Sequence, residues 1–112
     1  MAPRRGELWL ADFDPVVGRE QGGVRPALIL STDTFNAGRN ELVAAMPLTT
    51  QLRGWPLHVP ISPPEGGLHR PSVIMCEQMR FLSRARLDHW LGKVKPATLQ
   101  AVMVVLRRLL EP

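Results

Sequence analysis

The sequence has no tyrosine, a single cysteine and only two lysines among its 112 residues. A lone thiol, Cys76, excludes an internal disulfide, a CxxC redox pair and a cysteine-ligated zinc cluster. It stands in the apolar run Val73-Ile74-Met75-Cys76, where a buried structural role is expected. No apolar run is long enough to span a bilayer. The start, Met1-Ala2-Pro3-Arg4-Arg5-Gly6, carries no apolar leader, so a cytoplasmic location without membrane attachment is expected. Neither Gly-x-x-x-x-Gly-Lys-Ser/Thr nor Gly-x-Gly-x-x-Gly occurs, and no nucleotide cofactor is expected. Asp12 and Asp14 lie two apart at a strand end, yet the other acids are scattered and Asp-Pro is ordinary turn chemistry. No metal site is therefore expected. His58 falls on the outward face of an edge strand, His69 in a Gly/Pro loop and His89 on a short helix, which gives no histidine pair for acid–base work.

Apolar residues make up 45%, enough for one core, and the length suits a single domain over residues 1–112. Fourteen basic against ten acidic residues leave a net charge of +4. The basic set is almost all arginine, whose planar fork grips phosphate and stacks on bases. A GC-rich genome produces the same bias without any function.

Eleven prolines and nine glycines cut the first two-thirds into short apolar segments. Leu8–Phe13, Ala27–Leu30, Leu42–Met46, Val73–Cys76 and Met79–Leu82 read as strands. Leu57, Val59 and Ile61 alternate with His58 and Pro60, as in an edge strand that tolerates proline. Short strands so spaced predict a small barrel or sandwich. The period then changes. Ser83 is placed to cap a short helix through Leu91, and Pro96 suits a first helical position. Leu99, Val102, Met103, Leu106, Leu109 and Leu110 fall on one helical face. Lys95 is a poor cap, which leaves the start of that helix undefined. The expected fold is α+β, mainly β: a small barrel with one long C-terminal amphipathic helix.

Two loops concentrate the polar chemistry. One is Gly18-Arg19-Glu20-Gln21-Gly22-Gly23-Val24-Arg25-Pro26; the other is Pro47-Leu48-Thr49-Thr50-Gln51-Leu52-Arg53-Gly54-Trp55-Pro56. Arg25 precedes a strongly apolar strand, where a guanidinium needs a partner or a task. Thr49, Thr50 and Gln51 offer two hydroxyls and an amide in a row. Arg53 and Trp55 add a phosphate contact and a stacking face. Either loop alone is weak; the bland alternative pairs Glu20 with Arg25. Together they suggest a site for single-stranded nucleic acid.

The order of these segments resembles the MazF/PemK family of toxins along essentially the whole chain. The resemblance rests on Arg5-Gly6-Glu7-Leu8-Trp9, Asp12-Phe13-Asp14-Pro15, the Gly18–Pro26 loop, Pro47-Leu48-Thr49-Thr50-Gln51 and Cys76-Glu77-Gln78-Met79-Arg80. It implies an SH3-like barrel, a homodimer and a type II toxin that cuts single-stranded mRNA selectively without metal, leaving 2′,3′-cyclic phosphate and 5′-OH ends. It also implies a cognate antitoxin whose acidic, disordered tail lies in the RNA groove. The family's catalytic arginine falls on Arg25 and its catalytic threonine on Thr49. Arg19, Glu20, Gln21, Thr50, Gln51, Arg53, Trp55 and Gln78 are the expected substrate contacts. Lys95-Pro96-Ala97 stands where many members have Ser-Pro-Glu, and Arg53–Pro56 lies in a variable loop. A non-catalytic gyrase poison resembling CcdB is the main alternative, but such proteins act through a C-terminal tryptophan and none follows Trp90 here. An inactive RNA-binding barrel is the third.

Overall fold

The computed structural model describes residues 2–112; Met1, the first residue of the segment read above for a leader, lies outside the described residues. Seven strands and two α-helices are found among them: β1 Glu7–Asp12, β2 Val24–Ile29, α1 Asp33–Asn36, β3 Leu42–Thr49, β4 His58–Ile61, β5 Ser72–Met75, β6 Arg80–Ser83, β7 Leu87–Lys93 and α2 Pro96–Leu110. All strand pairs are antiparallel, in the order β4-β5-β3-β2-β1-β7, with β6 joined to β3. The eight-residue β3 organises the sheet. Its first half pairs with β6 and its last two residues with β5, while β2 runs along the other edge.

Alternation decides the core. Leu28 and Leu30 face one side with Leu8, Met46, Leu48 and Ile74, and α2 packs there through Val102 and Val105. Ala27 and Ile29 face the other, with Phe13, Val43, Ala45 and Leu82. Both faces of these strands are covered, which is why they read as continuous apolar runs.

Four expectations need correction. First, the pairing does not close a barrel, since β4 and β7 end the hydrogen-bonded path without joining. The gap is filled instead by the turn Glu65–Gly67, whose backbone packs on β7. A Cβ built on Gly67 would stand 2.0 Å from the Leu91 carbonyl oxygen, and one on Gly92 would stand 2.4 Å from Gly66. Second, the helix expected over Ser83–Leu91 is a single 3₁₀ turn, Arg84–Arg86, capped by Ser83, followed by β7. Pairing with β1 overrides the helical pattern, and His89 sits on a strand. Third, His58 is buried rather than outward; Pro60 is the exposed residue of β4. Fourth, Leu109 and Leu110 are exposed, and Val105 takes the buried place. The short α1, capped by the Thr32 hydroxyl, is absent from the sequence reading.

Candidate active site

The loop between β1 and β2 is tied down by its own polar atoms. Asp14 Oδ1 accepts from the Gly23 amide at 3.0 Å, and Asp12 Oδ1 from the Asp14 amide at 3.0 Å. The tie demands glycines: Gly23 holds φ +84, and a Cβ on Gly22 would meet Asp14 Oδ1 at 2.5 Å. Glu20 does not pair with Arg25. Its Oε1 accepts from the Val17 amide at 2.6 Å, within the loop. Gln21 and Gln78 meet, the Gln21 amide donating to Gln78 Oε1 at 3.0 Å, which fastens the loop to the β5–β6 turn.

Arg25, second residue of β2, is held by carbonyls. Its Nε donates to Gly22 O at 2.8 Å and an Nη donates to Leu48 O at 3.1 Å. A guanidinium has five N–H donors, so the second Nη is left to receive a ligand. Among the described residues no carboxylate forms an ion pair with it. Partial burial lowers its pKa from the ordinary arginine value, opposed by the charge of Asp14. The group stays cationic near neutrality but is less hydrated, which strengthens its grip on an anion.

Thr49 ends β3 opposite Val73 of β5. Its Oγ1 accepts from the Gln51 amide at 3.2 Å, which bends the chain out of the strand and leaves the hydroxyl hydrogen free to donate. Arg25, Thr49, Thr50 and Gln51 line one open cavity of about 500 Å³. His69 and Arg70, on the connection into β5, and Ser72 of β5 line it too, and no carboxylate does. Sequence reasoning missed His69 and Arg70 because they lie about twenty residues from Thr49. The signal available was the pairing of the strands after Pro47 and before Cys76, which sets that connection beside Thr50.

Arg19 and Glu20 are exposed on the first loop, and Arg53 and Trp55 on the second; none of the four lines the cavity. Arg53 donates to Gln51 Oε1 at 3.0 Å and sits over the Trp55 ring, 4.9 Å from its centroid. Cys76 is buried, and desolvation with the nearby Glu77 charge pushes its thiol up to about 12, which makes it no nucleophile.

Fold and cleft together define a small antiparallel-sheet protein with one C-terminal helix and a guanidinium–hydroxyl cleft free of carboxylates. The chain belongs to the PemK-like, MazF-like toxins of type II toxin–antitoxin systems, whose family model matches residues 4–110. It is 42% identical over 88 residues to the endoribonuclease EndoA of Bacillus subtilis, covering 78% of this chain and 76% of that protein. MazF of Deinococcus radiodurans superposes with a TM-score of 0.90 at 33% identity, over 100% of this chain and 99% of that one. The same organism's MazF in its MazE–MazF complex gives 0.80 at 33% identity, over 98% and 96% of the two chains.

Proposed function

We propose that this protein is a single-domain endoribonuclease toxin that cuts single-stranded RNA without metal, with Arg25 and Thr49 as catalytic residues. The observation that carries the reading is the Arg25 guanidinium, pinned by Gly22 O and Leu48 O beside Thr49 in a cavity that no carboxylate lines. In the reaction the ribose 2′-oxygen bonds to phosphorus and the P–O5′ bond breaks, giving a 2′,3′-cyclic phosphate and a 5′-OH. The 2′ proton leaves to water, and water returns one to the 5′ oxygen. Arg25 donates its free Nη hydrogens to the non-bridging oxygens as charge gathers there, and the Thr49 hydroxyl adds a neutral donor. Because the guanidinium is held before substrate arrives, it costs little reorganisation in the transition state.

In this reading Thr50 and Gln51 inside the cavity, and Arg19, Glu20, Gln21, Arg53, Trp55 and Gln78 outside it, serve RNA binding. In the proposal the protein works as a cytoplasmic homodimer, and a cognate antitoxin with an acidic tail covers the cationic cleft. The test is to incubate the purified protein with a long RNA in EDTA and map the cut ends. Cuts at a short recurring sequence with 5′-OH ends are expected. Intact RNA together with inhibition of DNA gyrase would replace this reading with the gyrase-poison alternative.

A further inference from the structure

The β3–β4 connection walls a second cavity of about 380 Å³ against β5. The two cavities share Ser72, and the chain passes from one to the other: Thr49, Thr50 and Gln51 line the first, Leu52, Gly54 and Trp55 the second. The Trp55 indole is 46% exposed. It lies against the His58 imidazole, with centroids 5.0 Å apart and planes 38° from parallel.

His58 is an unusual floor for such a cavity. Its side chain is 3% exposed, its Nε2 meets Glu77 Oε2 at 3.1 Å, and its Nδ1 is buried without a hydrogen-bond partner. A carboxylate can only accept, so in the neutral ring Nε2 carries the hydrogen and Nδ1 is left as an acceptor. A buried acceptor with no donor is a cost that folded proteins seldom keep. Here it is kept beside an exposed indole, in a cavity that shares Ser72 with the one holding Arg25 and Thr49.

We infer that this second cavity is a base-reading subsite for the nucleotide next to the cut bond. The base unstacks from its strand and the indole swings from the imidazole face onto the base face. That swing uncovers Nδ1, which accepts a base N–H, while Glu77 holds the imidazole in the accepting tautomer. Trp55 supplies affinity, since every base has a face to stack. His58 and Glu77 supply selectivity, since a polar group left unpaired rejects the base that cannot donate to it. The inference rests on the ribonuclease reading and adds a specificity determinant to it.

The experiment maps 5′-OH ends on a long transcript in EDTA for the native chain, Trp55→Ala, His58→Phe and His58→Gln. Trp55→Ala is expected to slow cutting at the preferred site about tenfold. His58→Phe is expected to relax the base preference at one position beside the cut, and His58→Gln, which retains an acceptor, to relax it less. Wild-type preference and rate in both Trp55→Ala and His58→Phe overturn the inference. So does an unchanged preference accompanied by lost antitoxin binding, which assigns the cavity to a protein side chain. An uncut native control sinks the ribonuclease reading itself, and this inference with it. Thermal melts report whether His58→Phe folds; if it does not, the exposed Trp55→Ala variant decides alone.

Discussion

Arginine in this protein is a structural clamp as well as a charge. Besides Arg25, the guanidinium of Arg5 donates to Leu30 O, Arg80 to Phe13 O, Arg84 to Asn36 O, and Arg86 to Asp12 O and Asp14 O. Each ties two segments distant in sequence through a backbone carbonyl, leaving the positive charge uncancelled. Arg25 is the one of these that lines the cavity beside Thr49. Arg25→Ala should therefore lower the cleavage rate in EDTA by about 10²–10³, with circular dichroism unchanged. Thr49→Ala should cost the same factor or less, because a neutral hydroxyl stabilises charge less than a cation. The double variant should be no slower than the worse single one, since both act on one transition state. A fully active Arg25→Ala would remove the mechanism. Cys76 behaves oppositely. Its ordinary pKa is 9.0 and its folded value about 12, so between those values the unfolded chain loses a proton that the folded chain keeps. Stability is thus unaffected by Cys76 below pH 9 and falls as pH rises above it. Cys76→Ala should show a smaller alkaline drop in Tm, and the native thiol should resist alkylation at pH 8 until denaturant is added.

At the scale of elements, contacts distant in sequence finish what local signals leave open. Lys95 offers α2 no side-chain cap. Glu65 does so from the turn after β4, its Oε2 accepting from the Lys95 amide at 2.9 Å and from Thr98 Oγ1 at 2.5 Å. The carboxylate also meets the positive end of the helix dipole. Glu65→Ala should lower stability by about 1 kcal/mol, read as a fall in the urea midpoint with unchanged slope. The same turn approaches β7 so closely that Gly92→Ala should destabilise far more strongly, because its Cβ would strike the Gly66 backbone rather than a yielding side chain. An equal effect of the two substitutions would mean that the turn moves aside. The β7 strand also shows why Ser83–Leu91 misleads: Ser83 does cap a turn, but β1 offers Leu87–Lys93 a ladder, and a ladder outweighs a marginal isolated helix.

For the whole molecule, exposed apolar residues and uncancelled arginines set the behaviour. Phe81 and Trp90 are more than half exposed, and Val104, Leu109 and Leu110 follow along the outer side of α2. The proposed homodimer would cover part of this surface, as closed two-fold pairing does. Light scattering should find twice the 12.5 kDa chain mass at micromolar concentration; a monomer with full activity would count against it. RNA affinity should fall steadily as salt rises, because each phosphate contact releases counterions. Replacing Arg19 or Arg53 should flatten that slope without abolishing cleavage.

Local pattern was enough to determine six of the seven strands, the C-terminal helix though not its start, and the two loops that carry Arg25 and Thr49. Period-two and helical repeats, and the turn chemistry of Asp, Pro and Gly, are written into neighbouring residues. What the tertiary structure alone decided depends on groups far apart in the chain. Burial of His58 against Glu77 and the entry of His69 and Arg70 into the Arg25 cavity follow from strand register, and the capping of α2 by Glu65 from the packing of a turn on the helix start. Pairing β4 with β5 sets His58 beside the turn that carries Glu77, pairing β3 with β5 sets the His69–Arg70 connection beside Thr49, and no local spacing encodes either pairing.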